Sequence, residues 1–371
     1  MLNNGKKKAI LILGLPVMAA ILLLVWLPVL RWLRLWWPGL PGWLFWPVVT
    51  LLTFSTSISY LLPYGRLSSI FHLIGEAAFT PLILFSFLVV TARIIRLIFP
   101  GLPLKAAGFA VLFLFLFLTA AGIANAFHIR RKDYRICLDR PCPNLRIALI
   151  SDIHLGFFSD RKMMKRIAAT VERTDPDIVI IAGDLFDDRF EDIRNPEGAA
   201  AQFRRLSEKY PLYACEGNHD LFEASSDRDR FISESGIQWM LDESMQFKGY
   251  EFIFRRDERE AERMNQWEIT ELVSRSLPII AVDHNPGGIG YLWEAGADLV
   301  LSGHTHGGQS FPGSLIYKLL PVPSYGMRSN GRQYAVVTSG IGFYGIPIRL
   351  GVNSEVAVIY LSGNTNIQTE I

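Results

Sequence analysis

Cysteine is scarce in this 371-residue chain, which holds only Cys137, Cys142 and Cys215. Three thiols make no disulfide framework, and their spacing matches no zinc-binding pattern. Cys137 and Cys142 can pair in an oxidising compartment or stay as free thiols, so cysteine does not identify the compartment. Acid is nearly missing from the first third. Residues 1–135 carry 13 Lys+Arg against 2 Asp+Glu, whereas the remainder carries 24 against 33. The overall +2 is thus the sum of a +11 part and a −9 part. Nothing reads as a nucleic-acid-binding module, and that charge balance argues against nucleic acid as the main partner. Internal repeats and low-complexity tracts are also lacking, which excludes solenoids and disordered tails.

Long apolar runs, by contrast, fill the basic part. A spanning helix needs ~20 mostly apolar residues, and four stretches qualify: 9–30, 43–62, 77–98 and 106–126. Trp32, Trp36, Trp37, Trp43 and Trp46 cluster around the first hairpin, where indole rings rest at a lipid–water boundary. The first run follows Lys6, Lys7 and Lys8, but it is long and lacks a small-residue cleavage site, so it reads as a retained anchor. The expected organisation is a transmembrane domain over residues 1–130 and a catalytic domain over 135–371. With four spans, both ends share one side. That side collects Lys6, Lys7, Lys8, Arg66, Arg130, Arg131, Lys132 and Arg135, against Arg31, Arg34, Arg93, Arg96 and Lys105 on the other. Eight against five places the catalytic half in the cytoplasm. His72 and Glu76, at the start of the third run, read as interfacial or packing residues rather than a conduction path.

From Asn144 the pattern becomes short apolar runs bounded by turn formers: LRIALISD, DIVIIAGD, PLYACEGNHD, LPIIAVDH and ADLVLSGH. Strands buried on both faces read this way. Helical patterns lie between them, over Asp160–Thr174, where Met163, Ile167 and Val171 share a face, and over Asn265–Ser276. QYAVVTSG and EVAVIYLSG read as closing strands. The alternation predicts an α/β domain.

The chemistry sits where those strands end. The five runs finish in Asp152-Ile153-His154, Gly183-Asp184, Gly217-Asn218-His219-Asp220, His284 and His304-Thr305-His306. In α/β sheets the carboxyl ends of strands converge on a ligand crevice. Each fragment alone reads equally well as structural, but scattered core histidines have no reason to follow every buried strand. Asp152, His154, Asp184, Asn218, His284, His304 and His306 are seven N/O ligands, too many for one ion and natural for two. Without thiolates, such a set suits Mn, Fe or Zn. Gly307 and Gly308 fit either a close backbone approach to a ligand or a tight turn. In FRRDER (254–259), Arg255 and Arg256 are candidates for gripping a substrate phosphate.

The ordered set DIH, GDLFD, GNHD, DH and GHTH, from Asp152 to His306, resembles the calcineurin-like metallophosphoesterase superfamily. LSGHTHGGQ and SGIGFYGIPIRLGVNSEV resemble, more narrowly, its membrane-anchored bacterial members of the YkuE/YaeI type. The resemblance covers Leu145 to Leu361. It implies a sandwich of mixed β-sheets flanked by helices, here preceded by a bundle of about four transmembrane helices. It implies that Asp152, His154 and His306 hold a first metal, that Asp184 bridges, and that Asn218, His284 and His304 complete a second, with Mn the favoured ion. By the same resemblance His219 acts on the substrate rather than on metal, and Asp187 orients it. The family's protein phosphatases follow that acid with Arg-Gly, where this chain has Asp188 and Arg189, which argues against a protein phosphatase.

The implied activity is hydrolysis of a phosphodiester, phosphomonoester or pyrophosphate. A metal-bridging hydroxide would attack phosphorus and His219 would protonate the leaving oxygen. The membrane anchor makes a phospholipid, a nucleotide-linked lipid or a cell-envelope phosphate a candidate substrate. UDP-sugar-lipid pyrophosphatases of lipid A-type synthesis share the superfamily and give one alternative. A catalytically silent metal-binding receptor or scaffold gives another.

Overall fold

The computed structural model describes residues 20, 22–63, 65–187, 190–222, 226–319 and 323–364, so most of the first apolar run, together with Asp188 and Arg189, lies outside the described residues. The chain divides into two compact units, Met1–Ala124 and Asn125–Ile371.

The first unit is helical. A π-helical turn, Leu22–Trp26, leads into α1 (Leu27–Trp36). It is followed by α2 (Gly42–Leu61), α3 (Arg66–Ile98) and α4 (Leu104–Ala126). Among the described residues, α2, α3 and α4 are long and apolar enough to cross a membrane. Large apolar side chains such as Leu97, Trp43 and Phe113 point outward, as lipid-facing helices require. Trp26, Val29, Phe45, Phe85, Val89 and Val111 pack inside.

Helix α3 begins at Arg66, well before the expected 77, because its first turns dock a polar seam on α2. Ser68 donates to the carbonyl of Ser59 at 2.8 Å, and buried His72 packs edge-on to Tyr60. At Gly75 the helices touch so closely that a Cβ would lie 2.6 Å from the backbone nitrogen of Thr56. Small residues at such crossings let backbones approach in the absence of a hydrophobic drive.

The second unit stacks two six-stranded sheets. One runs in the order β1 (Ile129–Leu138), β12 (Ser354–Gly363), β2 (Leu145–Ile150), β3 (Ile178–Ala182), β4 (Leu212–Cys215), β5 (Gln238–Trp239). The other runs β10 (Gly326–Ser329), β11 (Tyr334–Val337), β9 (Leu299–Ser302), β8 (Ile279–Val282), β7 (Tyr250–Phe254), β6 (Glu243–Phe247). Both are mixed: β2, β3 and β4 are mutually parallel while β12 opposes β2, and β7, β8 and β9 are parallel while β6 opposes β7.

Continuously apolar strands are needed because each strand faces two cores. Ile147, Leu149, Ile178 and Ile180 face Phe252, Phe254, Ile280 and Leu301 of the opposite sheet. Their neighbours Ala148, Ile150, Val179 and Ile181 face helices α5 (Arg161–Glu172) and α6 (Pro196–Ser207) instead. The period-2 alternation of a strand thus sorts one apolar run into two layers. Ile253, Ala281 and Val300 face the helices on the far side. The result is a mixed α/β sandwich flanked by helices.

Helix α5 is capped by Asp160, whose carboxylate accepts from the Lys162 N–H. The second expected helix is shorter than 265–276. It spans Gln266–Glu271 behind an Asn265–Glu268 capping box.

Candidate metal centre

Strands β2, β3 and β4 of one sheet and β8 and β9 of the other deliver their carboxyl ends to one edge of the sandwich. The loops that follow are sharply bent. Asp152, His154, Asp184, His304 and His306 have φ between 48° and 72°, five of the nine positive-φ non-glycine residues among those described. Such conformations cost free energy and persist where the surroundings over-determine them, so their concentration here marks a site rather than a run of turns. The loops also brace one another: the N–H groups of Ile153 and His154 donate to the Asp184 carbonyl at 2.8 and 3.2 Å.

The bends bring buried and half-buried side chains together in three overlapping clusters: Asp152, His154 and His306; His154, Asp184 and His219; and Asp184, His284 and His304. Within each, one ligand atom per residue lies within 4.8 Å of the others. Asp184 joins the clusters. Its Oδ1 accepts the backbone N–H of His219 at 2.9 Å, while Oδ2 lies 3.0 Å from Nε2 of His284 and 3.7 Å from Nε2 of His154. His306 Nε2 is 3.0 Å from His154 Nε2 and 3.3 Å from Asp152 Oδ1. His284 turns Nδ1 toward the Ala182 carbonyl at 2.8 Å, which fixes its tautomer and aims Nε2 at the centre.

Without a cation this arrangement is costly. Burial pulls His284 down, but the Asp184 and Asp152 carboxylates outweigh it and raise its pKa to about 10. Burial also opposes the Asp184 charge, yet the facing histidines, His284 first, hold it well below the usual carboxylate range. Burial, then the His284 charge, lowers His304 to about 4. Burial, then His154 and Arg349, lowers His306 as well. Asn218 gives the most direct test of fit, because its Oδ1 is buried without a hydrogen-bond partner among the described residues. A buried amide oxygen without a donor costs ~1–3 kcal/mol unless a cation takes it. Imidazoles, carboxylates and an orphaned amide oxygen are a donor set that suits divalent metal.

A model of calcineurin-like phosphoesterases matches residues 145–308. The chain carries a calcineurin-like metallophosphoesterase domain. It is 29% identical over 238 residues to an uncharacterized metallophosphoesterase of Helicobacter pylori, a match covering 62% of this chain and 63% of that one. It is 31% identical over 245 residues to a transmembrane protein with metallophosphoesterase domain of Danio rerio, covering 58% and 53%. It is 25% identical over 260 residues to phosphodiesterase YaeI of Escherichia coli, covering 63% and 88%. The chain spans less than two thirds of the length of the first two of these relatives.

Within the calcineurin-like domain, Asp187 Oδ1 lies 3.4 Å from Nδ1 of His154, beside a candidate ligand. The Arg255 guanidinium is buried, 3.2 Å from the Asp242 carboxylate and bonded to the Met264 carbonyl. Arg256 is half-buried and follows it on a backbone pinned to Asp242. Gly307 and Gly308 resolve as a tight turn: both have positive φ, and a Cβ on Gly308 would lie 2.6 Å from the backbone of Gly313.

Two residues escaped the sequence reading. The Asp220 carboxylate accepts the backbone N–H groups of Asp184 (2.9 Å), Gly217 (2.8 Å) and Phe186 (3.0 Å), so it sets the loop that carries the central carboxylate. Arg349 is fully buried and holds the Gly342 and Asn353 carbonyls, with one Nη 3.3 Å from Nδ1 of His306. A lone arginine in the apolar GIPIRLG was the available signal.

Proposed function

We propose that the chain is a membrane-associated, metal-dependent phosphoesterase with a dinuclear centre. In this reading Asp152, His154 and His306 would hold one ion, Asn218, His284 and His304 would hold the other, and Asp184 would serve both. The supporting observation is the orphaned Oδ1 of Asn218, buried at the junction of five strand ends. Two divalent ions, when bound, would clamp phosphate oxygens and lower the pKa of a shared water. The chain's own groups do the rest. His219 is braced through its backbone on Asp184 and packs against Tyr344, with the rings tilted and their centroids 5.0 Å apart. Its imidazole faces the leaving group, to which it gives a proton. Arg256 and exposed Arg259 remain as grips for a non-reacting phosphate oxygen; the Arg259 charge already bears on His304.

The similarity to phosphodiesterase YaeI favours a phosphodiester as the first substrate to try, and the apolar helices favour a lipid-linked one. The test uses the full chain in detergent, stripped of metal and resupplied with Mn, against a chromogenic phosphodiester and its monoester. Mn-dependent turnover that disappears in His219→Ala supports the proposal. A fully metallated chain that turns over neither these esters nor a lipid-linked diester would contradict it in favour of a metal-binding scaffold.

A further inference from the structure

The helical unit contains a cavity of about 290 Å³, remote in sequence from every residue of the metal centre. Trp32 and Leu35 of α1, Val89, Ala92, Arg93 and Arg96 of α3, and the first turns of α4 from Leu104 to Val111 line it. Its two chemistries are segregated. Val89 and Val111 belong to the buried apolar core of the unit. Arg93 and Arg96 lie one turn apart on the same face near the end of α3.

The polar groups there lack partners of the right kind. Arg96 spends its Nε on the Leu102 carbonyl at 3.1 Å. Arg93 has no hydrogen bond or ion pair among the described residues. The indole Nε1 of Trp32 is buried and unsatisfied, although its ring is fixed edge-on against Phe85 at 5.0 Å. No carboxylate of this unit can neutralise the arginines. Its single acid is Glu76, which lies ~26 Å away along α3 at 1.5 Å per residue. Two like charges and an orphaned donor around an apolar-walled cavity call for an anion with several acceptor oxygens and an apolar continuation. Arginines at the end of a spanning helix, against apolar surface, are expensive unless such a partner is supplied.

We infer that this cavity binds the phosphate headgroup of an anionic glycerophospholipid. Arg93 and Arg96 would take the phosphodiester oxygens, Trp32 would donate to a third acceptor, Val89 and Val111 would wall the apolar side of the cavity, and the acyl chains would remain in the bilayer. The volume is at the low end of small-molecule pockets, which begin near ~300 Å³. That suits a headgroup whose tails stay in the bilayer. The inference is independent of the phosphoesterase reading, because it rests only on the helical unit and its membrane association.

The test is thermal stabilisation of the delipidated full chain in detergent by short-chain phosphatidylglycerol, phosphatidylcholine or inorganic phosphate. Phosphatidylglycerol should stabilise. Arg93→Gln/Arg96→Gln should weaken its apparent affinity by at least about tenfold, since charge-assisted contacts are lost. Trp32→Phe keeps the ring and removes the donor; it should weaken binding less, and it keeps the inference testable if the double variant does not fold. Metal content of the phosphoesterase domain should be unchanged in all variants. Equal stabilisation by phosphatidylcholine, or a response to phosphatidylglycerol unaltered in both variants, would overturn the inference. Equal stabilisation by inorganic phosphate would overturn the lipid assignment in favour of a free-phosphate site.

Discussion

His219 reaches the candidate bridging carboxylate through its backbone N–H, so replacing its side chain leaves the Asp184 bond in place. His219→Ala should therefore bind metal as the parent does while losing ~10²–10⁴-fold in kcat, the range for a general acid. Metal analysis beside steady-state kinetics separates the two effects. Asp220 should behave in the opposite way. Asp220→Ala orphans three buried N–H groups, at ~1–3 kcal/mol each, so it should lower the melting temperature and loosen metal together. Asp220→Asn, which keeps one acceptor oxygen, should recover part of the loss. The proton on His284 gives a pH dependence with a definite sign. With its pKa raised to about 10, the metal-free site holds that proton at neutral pH, and a metal must expel it. Metal affinity should rise with pH, and calorimetry in buffers of different ionisation enthalpy should detect proton release. Affinity that is flat from pH 6 to 9 would contradict the ligand role of His284.

Among the elements, what the sequence disclosed depended on burial of both faces. Strands β2, β3, β4, β8 and β9 were readable because each is apolar along its whole length, and their ends carried the site residues with them. Strand β1 was not. IRRKDYRICL lies at a sheet edge and buries only Tyr134, Ile136 and Leu138 on one face, so its charges read as a linker. The β6–β7 hairpin hid for a related reason. Its outer strand is partly polar, and the FRRDER run that follows looks like a solvated loop although Arg255 turns inward to Asp242. Bracing by Asp220 and Arg349 was illegible because it depends on which backbone groups the fold brings past them. In the helical unit, the polar seam of α3 disguised its first turns as a connector. Gly75→Ala should force α2 and α3 apart and destabilise the unit by ~1–3 kcal/mol, seen as earlier thermal unfolding in detergent.

At the scale of the whole molecule, a basic helical unit and an acidic α/β unit share one chain, and a calcineurin-like metallophosphoesterase domain occupies the second. We propose a cytoplasmic catalytic half, on the side where a four-span reading collects eight basic residues against five. A protease site placed after Arg131 should then resist cleavage in intact cells and be cut after lysis. The central claim is that five strand ends build a two-metal site, and the most direct measurement is the metal content of the folded full chain after stripping and reloading with Mn. The account predicts about two ions per chain, both weakened by Asp184→Asn, which removes the carboxylate proposed to serve both. A folded chain that binds no divalent metal, or binds it equally well in Asp184→Asn, would contradict it.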